Sequence, residues 1–284
     1  MIRKSHTPKT VGVVISTYNN PAWLEKTLWG YSHQSVSGFE IIISDDGSGD
    51  STRDLIKKFQ ESSQPNIKHV WQTDEGFQKS RILNKAIMAA ESEYLIFTDQ
   101  DCVPRRDFVE THLRYAKKGY FLSGGYFKLP MSISQALSEK DIKNQQAFNL
   151  KWLKGKRLEM NFKCTKLWNC QLYSRIMNFI TPAKASWNGC NSSGWKSDFL
   201  KINGFNEDMQ YGGQDREFGE RLANLGIKSR QIRYSAICLH LDHKRPYKTE
   251  KTLIKNKNIR KKTRRLHITE TPNGIRKFNN VDQL

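Results

Sequence analysis

No apolar run in this 284-residue chain approaches the ~20 residues that a membrane-spanning helix needs, and hydrophobic residues make up only 37% of it. The opening "MIRKSHTPKT" leads into "VGVVIS" without an apolar leader, so a cytoplasmic protein is expected. Cysteine is sparse: Cys102, Cys164, Cys170, Cys190 and Cys238 are odd in number and form no CxxC pair. That argues against a disulfide framework and against a thiolate zinc site. Internal repeats are missing, and the one compositionally biased stretch is basic. Acids are few, 28 against 47 Lys plus Arg, for a net charge of +19.

Much of that excess is local. Residues 244–265, "KRPYKTEKTLIKNKNIRKKTRR", hold eleven Lys/Arg and one Glu. A block of this kind contacts polyanions or stays solvated. It lacks the interleaved aromatics of a base-stacking surface, so an anionic membrane face is the expected partner and nucleic acid is not. The reading divides the chain into a domain over 1–245 and a basic tail over 246–284.

The first ~120 residues alternate strand-like and helix-like patterns, which predicts βαβ units and a mostly parallel sheet flanked by helices. "VGVVIST", "EIIISD", "IKHVWQ" and "YLIFTD" read as strands. "PAWLEKTLWGYSHQ", "STRDLIKKFQES" and "QKSRILNKAIMAAES" between them read as helices. "YFLSGGYFKLP" reads as a further strand, and residues 131–180 as a packed helical connection without visible chemistry. Ligands of open α/β sheets sit beyond the carboxyl ends of the strands. Here those ends carry "STYNN", "SDDGSGD" and "TDQD".

The last of these ends a buried strand with Asp99 and Asp101. Positions i and i+2 of a strand face one side, so a cation is expected beside them. A divalent metal bound to a phosphate fits, since hard cations take oxygen ligands. The alternative is that Asp101 caps the helix of "RRDFVETHLRYAKK". Downstream, "CLHLDHKRP" places His240 and His243 three residues apart around Asp242. Imidazole tilts the metal choice to Mn²⁺ over Mg²⁺.

Over residues 10–245 the strings "VVISTYNN", "IIISDDGSGDST", "SRILNKAI" and "IFTDQDCVP" fall in an order that resembles family 2 of the inverting, nucleotide-sugar-dependent glycosyltransferases. The segment "NGFNEDMQYGGQDREFGERL" is similar to the acceptor and catalytic segment of β-1,4-galactosyltransferases and bacterial chondroitin-type synthases. The resemblance implies a GT-A fold, with a nucleotide-sugar half over 10–127 and an acceptor half over 185–245. It implies transfer of a hexose or N-acetylhexosamine from a UDP-sugar donor to a glycan of a bacterial surface polysaccharide.

Residue by residue it implies that Asp101 binds the metal, with His240 and His243 as further ligands, and that Asp99 faces the ribose or a metal-bound water. Asp46 accepts from the uracil N3–H, Ser16 and Tyr18 contact the base, and Arg81 lies near base or diphosphate. Asp215 is the general base; its alternative role is to cap the helix that follows. Tyr211 stands where relatives carry Trp, Gly213 lets backbone approach a sugar, and Gln214 replaces the usual Glu. A rival expectation from composition is a basic nucleotide- or nucleic-acid-binding protein without transferase activity. Against it stand the acids and histidines at the strand ends.

Overall fold

The computed structural model describes residues 7–61, 65–244 and 249–276. In chain order the elements are β1 (Val11–Thr17), α1 (Pro21–Ser32), β2 (Glu40–Asp45), α2 (Asp50–Gln60), β3 (Asn66–Trp71), α3 (Lys79–Ala89), β4 (Tyr94–Asp99), β5 (Cys102–Pro104), α4 (Phe108–Tyr115) and β6 (Tyr120–Lys128). Then come α5 (Met131–Ala136), α6 (Glu139–Lys143), α7 (Leu150–Gly155), α8 (Gln171–Ile180), β7 (Ser192–Trp195), α9 (Lys196–Lys201), α10 (Gln214–Asn224), β8 (Lys228–His240) and α11 (Glu250–Arg265). The helical connection expected over residues 131–180 begins as three short helices, because Leu137, Asn144 and Asn149 leave helical geometry.

The sheet runs β3-β2-β1-β4-β7-β6-β8-β5. Strands β1 to β4 pair in parallel, β7 is antiparallel to both neighbours, and β6 pairs with β8 in parallel. The unbroken β-branched runs of β1 and β2 follow from burial on both faces. Val13 and Ile15 point to one cluster with Ile41, Ile43 and Leu24, while Val14 and Ile42 point to another around Phe97, Phe199 and Phe218. At the second cluster's centre Trp187 packs on Phe97, Phe121, Phe199 and Phe218. Each such buried side chain contributes about 1.5–3 kcal/mol.

Two topological features place the site. Strand order reverses between β1, whose successors β2 and β3 lie to one side, and β4 on the other, and ligands collect at such a switch point. Its two strands are in register Ser16 to Asp99. At the far edge β5 pairs antiparallel with β8, Cys102 opposite His240, which sets Asp101 beside that histidine. The register of β6 on β8 jumps from Gly124–Ile232 to Gly125–Ile237, so Arg233–Ala236 of β8 bulge.

The C-terminal basic block departs from the expected tail. Residues 245–248 lie outside the described residues. From Glu250 onward the chain is a 16-residue helix packed on α10. Asn256, fully buried, donates to the carbonyls of Gln210, Tyr211 and Gly212 at 2.9, 3.1 and 3.0 Å. Thr263 donates to Glu217 at 3.1 Å, and Arg260 pairs with Glu220 at 2.6 Å. The packed face is polar rather than apolar, so hydropathy gave no sign of it. The expected division at 245/246 therefore does not separate a domain from a free tail.

Candidate active site

The ends of β1, β2, β4 and β8 and the start of α10 enclose a cleft of about 1010 Å³, large enough for a nucleotide sugar by the usual 300–1,000 Å³ scale of ligand sites. Of the residues expected to bind, Ser16, Tyr18, Asp46, Asp99, Asp101, Tyr211, Gln214, Asp215, His240 and His243 line it together. They come from five separate stretches of chain.

Asp99 and Asp101 face different side chains. Residues Gln100 and Asp101 form a turn between β4 and β5, which ends the strand alternation after Asp99. Asp99 accepts from Ser16 Oγ at 2.7 Å and from Lys79 Nζ at 2.6 Å. Burial opposes the Lys79 ammonium, but Asp99 and then Asp215 outweigh it and hold its pKa above that of an ordinary lysine. Sequence reasoning passed over Lys79 in favour of Arg81, two residues on. Arg81 instead pairs with Glu75 at 2.6 Å and is not in the cleft wall. On a helix, two residues turn a side chain by ~200°, so only one of the pair can face the cleft.

Asp101 faces the histidines. His243 Nε2 lies 2.9 Å and His240 Nε2 3.9 Å from Asp101 Oδ2, with the two rings stacked at 5.5 Å. Burial raises the Asp101 carboxyl, yet the hydrogen bond to His243 and the field of His240 bring it below the ordinary range. Asp101 does not cap α4: the residue before that helix is Asp107, which makes no side-chain cap bond and pairs with Arg105 instead. On the far side of each ring, His240 Nδ1 meets the Leu241 carbonyl at 2.9 Å and His243 Nδ1 the Lys244 carbonyl at 2.8 Å. A carbonyl only accepts, so both Nδ1 atoms carry the proton, and in the neutral rings both Nε2 lone pairs aim at a carboxylate. That arrangement is self-repelling unless a proton or a cation lies between, and it is the outer-shell pattern of metal-binding histidines.

The donor set, one carboxylate and two imidazoles, fits a borderline divalent ion such as Mn²⁺. Cys102 adjoins the cluster, but its thiol donates to Asp101 Oδ1 and burial pushes it well above the usual thiol range. It is a neutral neighbour rather than a thiolate ligand. The turn that aims both rings is fixed by Trp23 Nε1, which donates to the Asp242 carbonyl at 3.0 Å, and by Ser134 Oγ, which accepts from Asp242 N at 3.0 Å.

Asp215 lies in the first turn of α10 without capping it. The N-cap is Gly213, with no side-chain cap bond. The carboxylate instead faces Gly189, where a Cβ would sit 2.8 Å from Oδ2. Its Oδ1 is buried and unpartnered. Burial raises this carboxyl above the ordinary range; Lys79 opposes the shift and Asp99 adds to it. A buried, under-bonded carboxylate at a cleft is equipped to take a proton.

The preceding loop carries out a task different from the one expected of its glycines. Gly212 and Gly213 adopt φ of 107° and 95°, which side chains avoid. A Cβ at Gly212 would lie 2.4 Å from Leu253, and one at Gly213 3.1 Å from Arg260. The glycines admit α11, not a sugar, and Gly213 is not in the cleft wall. Gln214 spends Oε1 on Gly212 N at 3.0 Å. Tyr211 meets Phe77 edge-to-face at 5.7 Å, which makes an aromatic lip.

At the nucleotide end Asp46 accepts from Gln72 at 2.7 Å and Gln78 N at 2.9 Å, and burial pushes its pKa up to about 6. Tyr18 donates to Asp74 at 2.8 Å.

Comparison with known proteins decides the affiliation. Residues 12–179 match Glycosyl transferase family 2, and residues 177–244 match the N-terminal domain of galactosyltransferase. The chain belongs to glycosyltransferase family 2. That membership favours a transferase over the rival expectation of a basic nucleotide- or nucleic-acid-binding protein. A validoxylamine A glucosyltransferase of Streptomyces hygroscopicus is 28% identical over 78% of this chain and 53% of its own. The chondroitin synthase of Escherichia coli is 27% identical over 78% of this chain and 33% of its own. This family 2 chain thus spans about half the length of the first of these relatives and a third of the second. Among solved structures, the Pyrobaculum calidifontis mannosyltransferase PcManGT with GDP-Man and Mn²⁺ superimposes with a TM-score of 0.57 at 20% identity, covering 85% of this chain and 59% of its own. S. aureus TarS 1-349 with UDP-GlcNAc gives 0.56 at 15% identity, covering 84% and 60%. The fold of this glycosyltransferase is GT-A.

Proposed function

We propose that this family 2 enzyme is an inverting, Mn²⁺-dependent hexosyltransferase that moves a hexose or N-acetylhexosamine from a UDP-sugar to a glycan acceptor during assembly of a bacterial surface polysaccharide. One observation carries the reading: the carboxylate of Asp215, with a buried Oδ1 that no hydrogen bond satisfies, lines the same cleft as the Asp101–His240–His243 donor set. The polysaccharide setting draws on the chondroitin synthase likeness, and the donor class and metal on the ligands of TarS and PcManGT.

Asp101, His240 and His243 would hold the metal, which when bound offsets the charge of the departing diphosphate. Lys79 adds a fixed positive charge beside Asp99. Asp215 takes the acceptor hydroxyl's proton as that oxygen bonds to the anomeric carbon from the face opposite the breaking bond to the diphosphate. Tyr211 and Phe77 offer ring faces to the acceptor sugar. Ser16, Tyr18 and Asp46 take the nucleoside end.

The outer face of α11 keeps Lys251, Lys255, Lys257 and Lys261 in solvent. Attraction to the anionic cytoplasmic face of a membrane therefore belongs to the same reading. Among the described residues no helix is long and apolar enough to cross a membrane.

A panel of UDP- and GDP-sugars with Mn²⁺, scored by release of the nucleoside diphosphate, tests the donor. Turnover confined to UDP-sugars is expected, and turnover of GDP-mannose alone overturns the donor class. A pH titration tests the base contact. The Asp46 carboxyl is raised by burial, so it protonates as pH falls through about 6. It then ceases to be a pure acceptor for the base N–H. UDP affinity should fall below that pH in the wild type, and Asp46→Asn should bind weakly at every pH without that inflection. Calorimetry showing the same inflection in Asp46→Asn assigns the titration to another group.

A further inference from the structure

The helix α8 is built inside out. Its protein-facing side is polar: Ser174 is buried, and Asn178 ties the helix to the bulge of β8. Asn178 Oδ1 accepts from Tyr234 N at 2.9 Å and its Nδ2 donates to Ser235 Oγ at 2.8 Å. Gln231 Nε2 donates to the carbonyls of Asn178 and Thr181 at 2.8 and 2.7 Å. Asn178 satisfies a backbone N–H that the bulge leaves outside the sheet ladder, and Gln231 satisfies carbonyls at the end of α8, which is why a polar face must point inward.

The opposite face is apolar and in solvent. Leu172, Ile176, Phe179 and Ile180, at i, i+4, i+7 and i+8, are 69%, 49%, 91% and 59% exposed. Trp168, 48% exposed, stacks on Tyr173 at 4.9 Å and extends the patch. Scattered exposed apolar residues need no explanation, but a contiguous stripe of them marks a contact surface. Along the chain on either side of it the charge is mostly positive: residues 151–184 hold eight Lys/Arg and one acid, Glu159.

We infer that α8 and the segment before it form the face by which the enzyme docks on anionic lipid, with the apolar stripe at the acyl boundary and the surrounding cations on the headgroups. The inference deepens the membrane placement proposed above and rests on it. Large apolar residues ringed by Lys/Arg are what an in-plane interfacial helix requires. A second copy of this chain would bring like charges together across the same face. At ten residues α8 is about 15 Å long, too short to span a bilayer and suited to lie on one. The face adjoins the cleft: Lys166 Nζ lies 3.4 Å from the Tyr126 carbonyl, and Tyr126 lines the cleft. Docking there sets the cleft mouth beside the lipid.

The test is flotation of the full chain with phosphatidylglycerol-rich vesicles and with phosphatidylcholine vesicles, comparing wild type with the Leu172→Glu/Phe179→Glu double variant. Both substituted side chains are exposed, so melting temperature and donor hydrolysis in solution should stay at wild-type values. The wild type should bind the anionic vesicles, less so at high salt, and the double variant should bind at least about tenfold more weakly. Equal binding by both overturns the α8 face while leaving the membrane placement intact. No binding by the wild type overturns both. A wild-type dimer in sedimentation velocity that the double variant abolishes, without vesicle binding, assigns the face to a second copy instead.

Discussion

Asp215→Asn is expected to lower sugar transfer at least about a hundredfold, the lower range for loss of a general base, while UDP binding and melting temperature hold. Asn is nearly isosteric and its oxygen can still accept from Gly189, whose backbone faces the native carboxylate. What it cannot do is take a proton. The stability side has a definite sign. Burial holds the Asp215 pKa above its value in an unfolded chain. Ionising it therefore costs folding stability as pH rises past the unfolded value. The neutral amide removes that cost, so the variant should melt no earlier than the wild type at pH 7. Earlier melting with undiminished transfer per folded molecule would mean that the residue is structural. The base would then be sought at Glu207 or Asp208, in the strand of sequence before the glycine loop.

Asp101→Ala should abolish metal-dependent turnover. A bound divalent ion supplies several kcal/mol of transition-state stabilisation, and about 3 kcal/mol is already more than about a hundredfold in rate. The substitution removes the one carboxylate of the donor set and leaves two Nε2 atoms without their partner. Two independent readouts are expected to agree. The electron paramagnetic resonance signal of free Mn²⁺ should no longer fall when protein is added, and turnover should drop to the wild-type level in excess EDTA. Undiminished wild-type activity in EDTA, or full activity of Asp101→Ala, would sink the metal assignment. His243→Ala should weaken Mn²⁺ binding more than His240→Ala, because His243 stands nearer to Asp101 at 2.9 Å against 3.9 Å.

The identity of these groups could be read from the chain alone, since each sits in a short local pattern. "FTDQD" ends an apolar run, "HLDH" spaces two imidazoles, and "YGGQD" brings a carboxylate to the start of a helix. The apolar runs of β1, β2 and β4 were likewise visible, because burial on both faces demands them and a few residues suffice to show it. Reading failed where the answer depended on which face of a helix meets the site. Lys79 and Arg81 are chemically alike and adjacent, and the rotation of α3 alone selects Lys79 for Asp99 and turns Arg81 to Glu75. The glycines at 212 and 213 signalled close approach, but not of what.

Local pattern, then, placed acids and histidines at the strand ends, and the resemblance of several short motifs in order pointed to a family 2 chain of GT-A fold. Tertiary structure decided the rest. It gave Asp99 and Asp101 separate partners by turning the chain between them, and it joined Asp101 to His240 through β5–β8 pairing across more than a hundred residues. It folded a basic block back on α10 through Asn256 and Thr263, polar contacts that no hydrophobic pattern announces. It also turned α8 so that the bulge in β8 takes its polar side and solvent its apolar one. Local pattern shows which side chains a segment offers; which of them are buried depends on unsatisfied groups that distant segments bring.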